Sequence, residues 1–152
     1  MSYECQLVER PTQPDLFIRT HTPVQNLSQV MGQAFGAIAQ YLGQKGEQPA
    51  GPPFAAYHNM DMQNLDVEIG FPVARPLPGQ GDIHAGQIPG GQQVVCLHIG
   101  PYDKIGAAYE ALTRWLQTHH REASGIAYEV YLTDPTDTPP EALQTQVMFP
   151  LK

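Results

Sequence analysis

Glu129 stands in the run Ile126-Ala127-Tyr128-Glu129-Val130-Tyr131-Leu132, where every other residue is apolar or aromatic. An ionised carboxylate in such a strand is costly to bury unless something pairs with it, so a partner for its charge is the first chemistry suggested. Alternate side chains of a strand point to opposite faces, which sets Ile126, Tyr128, Val130 and Leu132 against Ala127, Glu129 and Tyr131. The first set reads as core. The second, a small residue, an acid and an aromatic, reads as the wall of a binding groove, although the same alternation also describes a solvated outer face.

Other residues could join it. Glu68, in Asp66-Val67-Glu68-Ile69-Gly70-Phe71, is opposite in parity to Val67, Ile69 and Phe71. That puts it on the groove side, where a second acid suits a cation, or on an exposed strand face. Trp115 falls in the apolar stripe of a helix, where core packing is the first reading and ligand contact the second. His98 shares parity with Val94 and Cys96. It either faces the groove or orients the following Gly-Pro-Tyr turn through a backbone hydrogen bond. Six histidines raise the question of metal, but His119 and His120 are adjacent on a helix and point in different directions, and no HExxH or Cys/His cluster exists. Neither a glycine-rich phosphate loop nor a GxSxG elbow is present. No metal and no cofactor are expected.

Composition narrows the partners. A chain of 152 residues fits one domain, or two small halves sharing a core. A formal charge of −7 with only eight Lys and Arg argues against nucleic acid, which needs clustered basic residues, and makes a cation the more natural partner. The two cysteines, Cys5 and Cys96, lie far apart in sequence and form no CxxC, so neither a zinc knuckle nor a disulfide framework is indicated. A reduced, cytoplasmic setting is expected. No signal peptide or membrane-length apolar run is present, so no membrane partner is expected.

The elements that must position these residues follow from periodicity. Residues 3–9 and 16–21 are strand-like and are separated by RPTQPD, whose prolines and Asp15 favour a turn, so a hairpin is predicted. Asn26 or Ser28 caps a helix over 28–42, in which Gly32 and Gly36 read as sites of close backbone packing, and strands 54–59 and 65–73 follow. After the linker ARPLPGQG the pattern begins again. Strands 83–88 and 92–100 form a hairpin through PGG, Asp103 caps a helix over 104–120, and strands 126–132 and 143–151 close the chain.

This order of strand, strand, helix, strand, strand, used twice, is an internal duplication with pseudo-repeats 1–73 and 83–151. FIRTHTP overlies VVCLHIGP, so that His21 meets His98. VEIGFPV overlies TQVMFPL, and FAAYHN overlies IAYEVY, which places Tyr57 opposite Glu129. The predicted fold is an α+β domain with a mainly antiparallel sheet, one long helix per half on the same side of it, and a ligand groove at the seam.

The run HIGPYDKIGAAYEALTRWL, followed by GIAYEVYLTDP and TQVMFPL, resembles the GyrI-like small-molecule-binding family, the effector-binding domain also attached to multidrug-sensing transcription regulators. The likeness covers nearly the whole chain; its first half carries it through YHN and DVEIGFPV. It implies a duplicated fold enclosing a groove for bulky, often cationic, aromatic compounds, with an acid at the floor that matches Glu129. Regulators of the family carry a helix-turn-helix region before this domain. No such region precedes the first strand here, so the resemblance implies a stand-alone binding module without a DNA-binding role. Some stand-alone members look like hydrolases that open a strained cyclopropane ring in genotoxic natural products. The family's name refers to inhibition of DNA gyrase, which the sequence neither supports nor excludes.

Two function classes follow. In a binding module for amphipathic cations, Tyr57 and Tyr131 offer aromatic faces and Glu129 the counter-charge, each desolvated cation–aromatic contact contributing about 0.5–2 kcal/mol. In a hydrolase, Glu129 activates water and Tyr57 donates to the leaving oxygen. The expected partner is a cationic aromatic small molecule, and a protein partner or homodimer stays open.

Overall fold

The computed structural model describes residues 3–152. Its first strand, β1 (Cys5–Arg10), does not form the predicted hairpin with β2 (Gln13–Thr22). It pairs antiparallel with β6 (Gly91–Ile99), Cys5 opposite Cys96 and Arg10 opposite Gly91. The second predicted hairpin is also absent, because β5 (His84–Ile88) pairs with β2. The reason lies in the connectors. Only Pro11 and Thr12 separate β1 from β2, and only Pro89 and Gly90 separate β5 from β6; none of the four has a positive φ. Tight two-residue hairpins require positive φ at their first central position, which proline cannot adopt. Asp15, read as a turn residue, therefore lies inside β2, opposite Pro72 and Gly86.

Two compact units result, and they differ from the repeats at 1–73 and 83–151 by exchange of these strands. One spans Pro11–Gly90. It contains β2, α1 (Leu27–Gln44), β3 (Phe54–Tyr57), β4 (Leu65–Pro72) and β5, with antiparallel strands in the order β3-β4-β2-β5. Helix α1 lays Ile38, Tyr41 and Leu42 on Leu16, Val73, Leu77 and Ile83, with Ile18 and Phe71 at the margin. A Cβ added at Gly32 or Gly36 would meet nothing within 4 Å, so these glycines are not sites of close packing as predicted. Gly70 is one: its Cβ would fall 2.2 Å from the carbonyl oxygen of Leu16 on the adjacent strand.

The other unit joins the segment ending at Arg10 to Gly91–Lys152. It contains β1, β6, α2 (Gly106–Thr118), β7 (Ala127–Tyr131) and β8 (Gln144–Pro150), with antiparallel strands in the order β1-β6-β8-β7. Ala108 and Leu112 of α2 pack on Val94, Cys96 and Val147. Each helix is entered through a proline, Pro23 or Pro101, and a short 3₁₀ turn. Asn26, at the N-cap of α1, forms no side-chain cap hydrogen bond, and the N-cap of α2 is Ile105 in place of the expected Asp103, which lies in the 3₁₀ turn before it. Among the described residues no helix is long and apolar enough to cross a membrane.

The α+β, antiparallel architecture with two helices is as predicted, but the strand registers give a different correspondence between the two units from the one read in the sequence. Val94, Cys96 and His98 face Phe149, Val147 and Thr145, while Leu16, Ile18 and Thr20 face Phe71, Ile69 and Val67. His98 thus corresponds to Thr20, and His21 lies on the other side of its strand. Glu129 pairs with Val147 and Tyr131 with Thr145, whereas Ala55 pairs with Ile69 and Tyr57 with Val67. Glu129 therefore corresponds to Ala55, and Tyr57 to Tyr131.

Candidate functional site

Period-two alternation shows which residues share a face but not which face meets the helix. In the structure the Ala127, Glu129, Tyr131 face of β7 is the one turned towards α2, since Glu129 lies beside Val147 of the helix-packed core. It is not a solvated outer face. The set predicted as core is mixed: Tyr128 is buried, and Leu132 is exposed.

Two tyrosines hold the carboxylate, and a third packs against one of them. Tyr109, on the first turns of α2, donates its hydroxyl to Glu129 Oε2 at 2.5 Å, and Tyr131 donates to Oε1 at 3.0 Å. The Tyr109 ring is steadied by Phe149, with centroids 5.7 Å apart. Tyr102, in the 3₁₀ turn before α2, meets the Tyr131 ring edge-on at 5.9 Å. Burial pushes the Glu129 carboxyl above the usual carboxylate range; the two hydroxyls and the nearby His98 pull the other way without cancelling it. Burial and the charges of Glu129 and Asp134 raise the Tyr102 phenol as well. Among the described residues no Lys or Arg forms an ion pair with Glu129.

The segment His98-Ile99-Gly100-Pro101-Tyr102 sets the start of α2, and His98 is its anchor. At 1% exposure, its Nε2–H donates to the Pro101 carbonyl at 2.9 Å, and its Nδ1 is hydrogen-bonded with the Tyr3 hydroxyl, also at 2.9 Å. Gly100, at φ 138°, occupies a conformation that side chains rarely adopt. His98 thus has the turn-orienting role rather than the groove-facing one, and through the turn it positions Tyr102.

Of the remaining candidates, Trp115 belongs to the same unit, and Tyr57 and Glu68 belong to the other. Trp115 packs at the margin of the Val94, Cys96, Leu112 core and stacks on His119 at 4.1 Å. Tyr57 shares its face with Val67 and Ile69 and is buried. Glu68 points to the opposite face of that sheet, opposite Ala56 and Arg19, and is hydrogen-bonded with His58. The site therefore brings together Glu129 and Tyr131 and adds Tyr109 and Tyr102, which the sequence reading had not singled out. The available signal for Tyr109 was its hydroxyl within an apolar helical stripe, since a buried phenol usually finds a partner. Among the described residues no three His, Cys, Asp or Glu side chains gather as a metal site.

The chain belongs to the GyrI-like small molecule binding domain family, whose model matches residues 3–152. The EcmrR C-terminal domain is similar in structure at 23% identity and a TM-score of 0.85, covering 100% of this chain and 99% of that one. EcmrR in its complex with DNA matches at 24% identity and a TM-score of 0.86; the chain spans 57% of its length. A hydrolase from Listeria innocua shares the fold at 14% identity and a TM-score of 0.71, over 98% of this chain and 92% of that one. SAV2435, solved bound to tetraphenylphosphonium, does so at 12% identity and a TM-score of 0.65, over 100% of this chain and 94% of that one. No curated protein sequence matches the chain.

Proposed function

We propose that the small molecule bound by this domain is a bulky amphipathic, aromatic cation, with Glu129 as its counter-charge and Tyr131, Tyr102 and Tyr109 around it. The observation that carries this reading is the Glu129 carboxylate itself: part-buried, held by two neutral phenol hydroxyls, and paired with no Lys or Arg among the described residues. A desolvated cation would supply the missing charge, and aromatic faces would contribute about 0.5–2 kcal/mol each. That SAV2435, of like fold, was solved with tetraphenylphosphonium makes this cation a suitable probe.

Isothermal titration with tetraphenylphosphonium and with neutral triphenylphosphine oxide tests the reading. Glu129→Gln keeps the shape and removes the charge. It is expected to weaken the cation by about 2 kcal/mol, roughly 30-fold, and to spare the neutral compound. Equal losses for both ligands, or none for either, would refute the charge-pairing role.

A second reading, hydrolytic ring opening, draws on the same geometry, because a carboxyl with a raised pKa beside a phenol suits general base and acid work. A ring-opened, hydrated product from an electrophilic cyclopropane compound, detected by mass spectrometry and lost in Glu129→Gln, would favour it.

A further inference from the structure

Cys5 and Cys96 are the chain's two cysteines, and the fold sets them side by side. They are directly opposite each other in the antiparallel ladder of β1 and β6, and both are free. Directly opposed residues of such a ladder have Cα atoms about 4.5–5.5 Å apart, inside the range that a disulfide spans. Cys5 is half-buried on the strand that ends its unit's sheet, while Cys96 is buried beneath α2.

We propose that Cys5 and Cys96 form an oxidisable pair, closed to a cross-strand disulfide by hydrogen peroxide and reopened by thiols. The more accessible Cys5 thiolate attacks the peroxide. An S–O bond forms, the O–O bond breaks and one water leaves, giving a sulfenic acid. The Cys96 sulfur then attacks Cys5: the S–S bond forms, the S–O bond breaks and the hydroxyl departs as a second water. The two thiols lose two electrons, and one peroxide becomes two waters. Burial pushes both thiols up, Cys96 to about 12, so the thiolate is scarce at neutral pH and closure is slow.

The bond would tie β1 to β6 two residues from Tyr3 and His98, whose hydrogen bond supports the Pro101 turn. It adds a covalent restraint to a strand otherwise held by its ladder, and it is independent of the ligand's identity. A staple that closes a long loop lowers the entropy of the unfolded chain.

The experiment treats the full chain with hydrogen peroxide, quenches it with N-ethylmaleimide under denaturing conditions, and reads intact mass, linked peptides and thermal midpoint. The expected result is loss of two hydrogens, no maleimide adduct, a linked peptide pair containing Cys5 and Cys96, and a raised midpoint that dithiothreitol reverses. Cys5→Ser leaves the buried Cys96 in place and is expected to show neither the mass loss nor the midpoint rise. Two maleimide adducts after oxidation, a sulfinic acid at Cys5, or a disulfide only between chains would each overturn the proposal. So would an unchanged thermal midpoint in the linked monomer.

Discussion

Asp15 lies 3% exposed inside β2, and its Oδ1 has no hydrogen-bond partner among the described residues. Burial first, and then the neighbouring Glu68 carboxylate, push its pKa up to about 7. Against an unfolded value of about 3.9, the gap is about three pH units, and at about 1.36 kcal/mol for each it amounts to roughly 4 kcal/mol as a ceiling. The sign follows from proton counting. Below pH 4 both states hold the proton, so stability is full. Between pH 4 and 7 the folded chain keeps a proton that the unfolded chain has lost, so stability falls as pH rises, and above 7 the loss is complete. Asp15→Asn removes the titration while preserving size. Urea unfolding at pH 5, 6, 7 and 8 is therefore expected to show the variant gaining on wild type as pH rises, by about 2–4 kcal/mol at pH 8. A constant difference across that range would refute the reasoning, since a purely steric effect does not titrate. Glu68→Gln, which removes the second cause, is expected to move the wild-type transition to lower pH.

Two further expectations follow from the same geometry. Tyr109→Phe deletes the hydroxyl that donates to Glu129 Oε2, so the Glu129 pKa rises further. On the proposed function, tetraphenylphosphonium affinity requires the charged form and is then expected to be lost at a higher pH than in wild type; superimposable pH profiles would count against the assignment. Gly70→Ala places a methyl 2.2 Å from the Leu16 carbonyl oxygen and 3.0 Å from the Phe17 Cα, both backbone. Because neither atom can swing away, a stability loss of about 3 kcal/mol or more is expected by urea titration.

Local patterning was sufficient for the parts of this protein that depend on neighbours in the chain. The eight strands and two helices fall close to their predicted spans, because apolar periodicity and the Pro and Gly punctuation act over a few residues. Glu129 was legible for the same reason: a lone acid in an apolar strand is a conflict visible without a fold. His98 was legible as an anchor for the turn three residues ahead.

What depended on distant segments was decided only by tertiary structure. A strand's alternation does not name its partner, so β1 and β5 were assigned to hairpins that their proline-containing connectors cannot make. Register carries no local signature either. A two-residue offset moved the counterpart of Glu129 from Tyr57 to Ala55, and a one-residue offset moved that of His98 from His21 to Thr20. Asp15 is flanked in its sheet by β4 and β5, Cys5 meets Cys96 through a ladder between strands far apart in the chain, and Tyr109 becomes the donor through how α2 lies on its sheet. Each is a contact between segments whose separate sequences are compatible with several pairings, and only packing the whole core selects one.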